Sequence, residues 1–390
     1  MTETVLAAAP SVTMHQPSQT GRQALTGVPL EAWRRLSAHA LEPNGFFDPG
    51  FALPAAAFAG GGRGSEVLLA EDGGYLCGLL PVVTAARAYG LPIPALVAGV
   101  PYAVLATPLL DASKPALAAE KLIEAAGKAG AQLLVLPMAS LDGEAATAMM
   151  AAARRKRLAI HIHGEHERAA LAVPDDAEAY LRAGMGAKKL KELRRLGHRL
   201  AEEGVVAFAH ARERNTIAAA LTRFLDLEAR GWKGQRGTGL GQSAGDRRFI
   251  ETAAATMAER GGFEVLELTL DGAPLASGLI LRQGNTALFF KIAYDEAFAR
   301  YSPGVQLTVE LTRRLADDPI ITYADSTALP GHPMIDHVWR ERRRMGDLMI
   351  STRPGPIGPG LAHLVIARAR LRERAKRFVH TIAAFREKNR

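Results

Sequence analysis

The predicted elements of this chain come in the same order twice, and that repetition constrains its fold more than any single motif. The first run reads helix (30–41), helix (49–59), strand (66–70), strand (76–83), a further strand region to 107, helix (115–129), strand (132–136), helix (141–156) and strand (158–163). The second reads helix (216–230), helix (246–260), strand (263–270), strand (275–282), strand (285–294), helix (303–316), strand (320–325), helix (335–344) and strand (347–351). In both runs the first two strands meet at an Asp-Gly turn, Asp72-Gly73 and Asp271-Gly272, the dipeptide that tight hairpins favour. The pattern predicts an α/β (α+β) protein of two tandem units, each a mixed central sheet flanked by helices, joined by a helix over 177–203.

Composition agrees with a packed protein. At 390 residues with 48% hydrophobic content the chain can bury a sizeable core. Its longest apolar runs, such as 91–110, are broken by prolines and glycines and do not read as a membrane span. Residues 1–22 lack the basic start and apolar centre of a signal peptide and read as a flexible tail, so a cytoplasmic location is expected. The single cysteine, Cys77, excludes an internal disulfide and reads as a small buried side chain. His161, His163 and His166 invite a metal site, but no carboxylate pattern accompanies them; they read as a solvated strand end, and no metal is expected.

The second run carries the more informative chemistry. Its strand 287–294 is apolar and aromatic apart from Lys291, which therefore reaches a polar cleft or snorkels from a sheet edge. Behind it stands Tyr301-Ser302-Pro303-Gly304-Val305-Gln306: Ser302 is placed to cap a helix and Pro303 to occupy its first turn. The first-turn amides of Gly304, Val305 and Gln306 at the positive end of that helix make an anion site, with no side chain at Gly304 to obstruct it. An ordinary capped helix after a strand is the plainer reading of the same residues. The first run has no such junction after its 100–108 segment.

The stretch from Phe290 through Ser302-Pro303-Gly304 to Tyr323-Ala324-Asp325 resembles the GNAT acetyltransferases of the CelD-like group, found near bacterial polysaccharide-synthesis genes. Gly231-Trp232-Lys233-Gly234 is similar to the group's tryptophan-lysine loop, 188–200 to its basic helix, and Pro43-Asn44-Gly45-Phe46-Phe47 to its N-terminal motif, so the resemblance covers roughly residues 30–352. Where many relatives carry a lysine, this chain has His332-Pro333-Met334-Ile335-Asp336-His337, and that lysine's role does not transfer. The resemblance implies a tandem GNAT fold, acetyl-CoA or another acyl-CoA as donor, and a cleft between 288–294 and 320–325. Within it, Ser302, Pro303, Gly304, Val305 and Gln306 would hold the cofactor. Asp325 would be the base or would cap the Ser326-Thr327 turn; Lys291 would hold an anionic group; Tyr294 and Tyr301 would donate to the thiolate or pack. Trp232, Lys233, Tyr301 and His332 would face the acceptor, a sugar, polysaccharide precursor or related small molecule.

The implied organisation is a tail (1–22), an N-terminal unit (23–175), a linking basic helix and strand (176–212), a C-terminal unit with the acyl-CoA site (213–355) and a basic amphipathic helix (356–390). The net charge of +8 gathers at 188–199 and at 368–390, where nine Lys or Arg stand against Glu373 and Glu387. Leu371, Ala375, Phe378, Ile382 and Phe385 form an apolar stripe on that last helix, suited to an anionic inner leaflet, a synthase partner or the protein's own core. Two other functional classes stay open: a Fem-like aminoacyl-tRNA-dependent transferase and a non-catalytic accessory protein of exopolysaccharide synthesis. The compact Ser302-Pro303-Gly304 junction favours the acyl-CoA reading, and nucleic acid is not expected as a partner.

Overall fold

The computed structural model describes residues 21–62 and 64–388, with the backbone alone for Lys233 and 376–388. Thirteen strands follow the chain: β1 (Arg22–Ala24), β2 (Glu66–Asp72), β3 (Tyr75–Thr84), β4 (Ala95–Ala98), β5 (Leu109–Leu110), β6 (Leu133–Ser140), β7 (Ile160–Ala172), β8 (Val206–Ala211), β9 (Phe263–Leu270), β10 (Ala273–Gln283), β11 (Thr286–Tyr294), β12 (Tyr323–Asp325) and β13 (Glu341–Ser351). The helices are α1 (Leu30–Ala38), α2 (Pro49–Phe58), α3 (Ala85–Tyr89), α4 (Pro115–Lys128), α5 (Glu144–Arg155), α6 (Ala177–Met185), α7 (Ala187–Ala201), α8 (Arg214–Arg230), α9 (Trp232–Gln235), α10 (Ala244–Ala258), α11 (Pro303–Ala316) and α12 (Ile357–Lys388).

These strands form one mixed sheet in the order β1-β2-β3-β4-β6-β13-β7-β12-β11-β10-β9-β8, with β5 paired to β3. The two repeated units are therefore interleaved. β13, last in the chain, lies antiparallel between β6 and β7 of the first unit, while β7 reaches on to pair with β12 of the second at Ala170–Ala172. Each unit completes its sheet with a strand from the other.

This exchange explains where the sequence pattern misleads. The strand expected over 158–163 runs on to Ala172, because β13 pairs with it as far as Ala170 and Arg344 reaches Glu165 across the ladder, while Glu165 and Glu167 stay exposed. The helix expected over 335–344 does not form. Ile335, Val338 and Trp339 are buried at helical spacing, but 341–351 is taken up by two β-ladders. The linking helix expected over 177–203 is two helices, broken at Gly186, whose φ of +78° suits only a glycine without strain. The tail expected over 1–22 is described only from Gly21, and Arg22 already pairs with Leu68 in β1.

The main core spans both units. Phe46, Phe51, Phe249 and Phe290 form a chain of edge-to-face contacts with centroids 5.1–5.6 Å apart. Cys77 is part of that core, with burial pushing its thiol up. On the opposite face of the sheet, α11 packs on β9, β10 and β11, and α12 on β6, β7 and β13. Ala362 and Val365 of α12 join Ala95, Val97, Leu133 and Val135 in a buried cluster, so the first turns of the C-terminal helix belong to the core. Farther along, Leu371 is 65% exposed. Phe378, Ile382 and Phe385 lie outside the described side chains.

Candidate active site at a strand divergence

β11 and β12 run parallel for three residue pairs only, from Thr286–Tyr323 to Leu288–Asp325. Beyond Leu288, β11 continues to Tyr294 along β10 alone, because the chain turns away after Asp325. The turn is built locally. The Thr327 N–H donates to Asp325 Oδ1 at 2.7 Å, and the Thr327 hydroxyl donates to the Phe289 carbonyl at 2.7 Å. Thr327 takes a left-handed φ of +51°, uncommon for a β-branched residue and a sign of backbone strain held by its surroundings.

The divergence opens beside the start of α11 into a cavity of about 420 Å³. Trp232, Tyr294, Ser302, Pro303, Gly304, Val305 and His332 all line it, together with Glu228, Glu296, Ile292 and Met334. Seven of the residues singled out from sequence thus meet around one hollow.

The helix start differs from its expected form. Ser302 has φ +53° and ψ +50° and makes no side-chain cap; a capping serine needs an extended backbone. The Gln306 N–H donates to the Ser302 carbonyl at 3.1 Å, and the Gln306 side-chain amide donates to the Tyr301 carbonyl at 2.8 Å, so Gln306 is committed to the helix start and not to the cavity. Pro303 has no N–H, which leaves Gly304 and Val305 as the first-turn amides beside the hollow. Nor is Gly304 unobstructed. A methyl group built there would lie 2.5 Å from Met334 Sδ, so a flexible thioether covers the spot.

Three other expected residues lie elsewhere. Asp325 is fully buried and accepts from Arg343 Nη1 at 2.8 Å, with Arg168 Nη1 3.6 Å away. Having capped its turn and bound two guanidinium groups, it has no free edge for a substrate proton and is not a base. Lys291 sits between the units, its ammonium 5.4 Å from the Tyr102 ring centroid and 5.7 Å from that of Phe290. Tyr301 is buried and donates to Glu203 at 2.5 Å, away from the cavity. The Lys233 side chain lies outside the described residues.

Sequence reasoning missed the buried ionic cluster behind the divergence. Arg343 also donates to Ser140 Oγ at 2.8 Å and pairs with Glu42, whose other oxygen accepts from the Ala145 N–H at 3.1 Å. Burial works against the Arg343 charge, yet Asp325 and Glu42 outweigh it and hold the guanidinium above the ordinary arginine range. For Arg168 burial wins, and its pKa is lowered. The available signal was the arginine-rich run Arg342-Arg343-Arg344, which a helical reading would place at the surface.

The lining's ionisable groups are few. Glu296 accepts from the Trp232 N–H at 2.8 Å and Glu228 from the Leu240 N–H at 2.6 Å, which ties the glycine-rich loop to the cavity wall. His332 Nδ1 accepts from the Met334 N–H at 3.4 Å, which holds the ring at the cavity wall. A phosphate-bearing chain could lie along the divergence with its anion at the α11 start, and the two carboxylates would attract a cationic acceptor.

Residues 187–328 match the acetyltransferase (GNAT) domain family. Solved structures similar to the chain share its fold at low identity. The C-terminal domain of a putative lysylphosphatidylglycerol synthetase from Agrobacterium fabrum aligns over 86% of this chain and 96% of its own, with 14% identity and a TM-score of 0.53. L-PGS from Bacillus licheniformis aligns over 87% of this chain and 95% of its own, with 13% identity and a TM-score of 0.52. FemX covers 84% and 96%, with 10% identity and a TM-score of 0.51. No curated protein matches the chain in sequence. The GNAT match includes α11 and the β11–β12 divergence, and the relatives span nearly the whole interleaved sheet.

Among the described residues no group of three or more His, Cys, Asp or Glu is arranged to hold a metal. His161 packs edge-to-face on His363, with centroids 5.2 Å apart. Among the same residues no helix is long and apolar enough to cross a membrane.

Proposed function

We propose that the protein is an acyl-CoA-dependent acyltransferase, most simply an acetyltransferase, acting on an amine or hydroxyl of a sugar, polysaccharide precursor or related small acceptor. The observation that carries this reading is the cavity at the β11–β12 divergence, with the Gly304 and Val305 amides at one end, inside the segment that matches the GNAT domain. The pyrophosphate of the donor would take those two amides once Met334 swings aside, and the thioester would lie along Ile292 to Tyr294. Glu228 and Glu296 would draw an amine acceptor to the thioester and take up its proton. His332 Nε2 would donate to the developing oxyanion, and Tyr294 would protonate the departing thiolate. Asp325, held by Arg343, would position the wall of the divergence.

A second reading is aminoacyl-tRNA-dependent transfer of the Fem kind. It is favoured by the fold shared with FemX and the synthetase structures and by α7, where Lys188, Lys189, Lys191 and Arg199 are exposed on one basic helix. Calorimetry with acetyl-CoA, then a panel of amino sugars, separates the two. Micromolar acetyl-CoA binding followed by turnover of an amino sugar is expected. Absence of acetyl-CoA binding, with salt-sensitive binding of charged tRNA, would replace the first reading with the second.

A further inference from the structure

A second cavity, of about 730 Å³, lies away from the divergence. It lies at the opposite end of β11, beside the β10–β11 turn, between α1 and α2 of the first unit and α10 of the second. A cleft between two units with a volume of this size is a usual place for a small ligand. Its walls are apolar: Val28, Leu53, Pro54 and Ala57 on one side and Met257 on the other.

Most buried polar groups on this lining bond one another, and Gln283 Oε1 is left without a partner among the described residues. Asp48 accepts from the Gly50 N–H at 2.8 Å and from the Ser37 hydroxyl at 3.0 Å, while the Gln283 amide donates to the Ser37 carbonyl at 2.7 Å. Arg212 and Arg282 are likewise matched, by Glu264 and Asp318. Arg34 pairs with Glu31 at the surface. Arg260 is different. It is exposed on the lining just beyond α10, and its side chain makes no hydrogen bond or ion pair among the described residues, with Asp48 the opposite charge it feels across the cleft. The cleft thus offers a ligand a long apolar wall and one unmatched guanidinium, a group suited to a carboxylate or phosphate.

We infer that this cleft binds a monoanionic amphiphile, an acid group at Arg260 with an aliphatic body against Leu53, Pro54, Ala57 and Met257. Charge complementarity selects the anion, and the long apolar wall, with Ser37 and Asp48 bonded to each other, favours an aliphatic body over a sugar. The site is independent of the cavity at the divergence.

The test is calorimetric titration of the full chain with decanoate, below its micelle concentration, alongside decylammonium. Saturable binding of one decanoate is expected, at least tenfold tighter than decylammonium. Arg260→Glu should weaken it tenfold or more, and Ala57→Trp, at an exposed position on the apolar wall, should abolish it, with acetyl-CoA affinity unchanged in both. The inference is overturned if decanoate does not saturate, if decylammonium binds equally well, or if Arg260→Glu leaves the affinity as it was. Arg260 is exposed, so that variant serves even if Ala57→Trp fails to fold.

Discussion

Arg343 Nη1 donates to Asp325 Oδ2 at 2.8 Å with both side chains buried, and this pair joins the last strand of the chain to the strand that ends at the cleft. Its neighbours Glu42 and Arg168 come from the first unit, so the wall of the divergence is set by residues from both.

Breaking the pair should cost the fold before it costs chemistry. Asp325→Ala leaves two buried guanidinium groups without their shared carboxylate and should destabilise by about 3–5 kcal/mol in urea unfolding. The double variant with Arg343→Met should lose less than the sum of the single losses, since it removes both charges. A stable Asp325→Ala protein with a specific loss of turnover would instead restore Asp325 as a base.

Met334 should govern access to the α11 amides. Met334→Ala removes the thioether over Gly304 and should tighten acetyl-CoA binding severalfold by calorimetry. Gly304→Glu, which places a carboxylate at those amides, should abolish it while the melting temperature stays near that of the parent protein.

Acidification should loosen the C-terminal helix. Burial, with His363 beside it, holds His161 below its ordinary imidazole value, so the fold favours the neutral ring. The unfolded chain takes up its proton first, near pH 6.5, and stability therefore falls as pH drops through that value towards the folded one. Melting temperatures between pH 7.5 and 5.5 should show this decline, and His161→Phe should flatten it.

Truncation should divide α12 into two parts. Removing 376–390 should leave the melting temperature nearly unchanged. Removing 361–390 also takes Ala362 and Val365 out of a buried cluster, and the valine alone is worth about 1.5–3 kcal/mol. The shorter truncation is then the variant for measuring attraction to anionic vesicles.

Much of this architecture was legible in the residues. The Asp-Gly hairpins, the β11–α11 junction and most of the amphipathic helices are local patterns of period two or 3.6, and they stand where their spacing put them. What escaped was non-local. Nothing within 335–351 says that its partners are β6 and β7, roughly two hundred residues earlier, so its buried Ile335, Val338 and Trp339 mimic a helix face. Asp325 reads as a free carboxylate until Arg343 and Arg168 are brought to it. Ser302 fits a capping preference, but its left-handed backbone is imposed by the tight 3₁₀ turn of 296–301 before it. At the site, sequence named seven of the residues that gather around the cavity and missed Glu228, Glu296 and the methionine that covers the helix start.

The placement of β13 between β6 and β7 means that the halves are not modules on a hinge. Sliding one against the other would tear two ladders of backbone bonds. A protease cut in the segment joining α7 to β8 would leave the fragments clasped together, and neither half, made alone, would have a complete sheet to fold around.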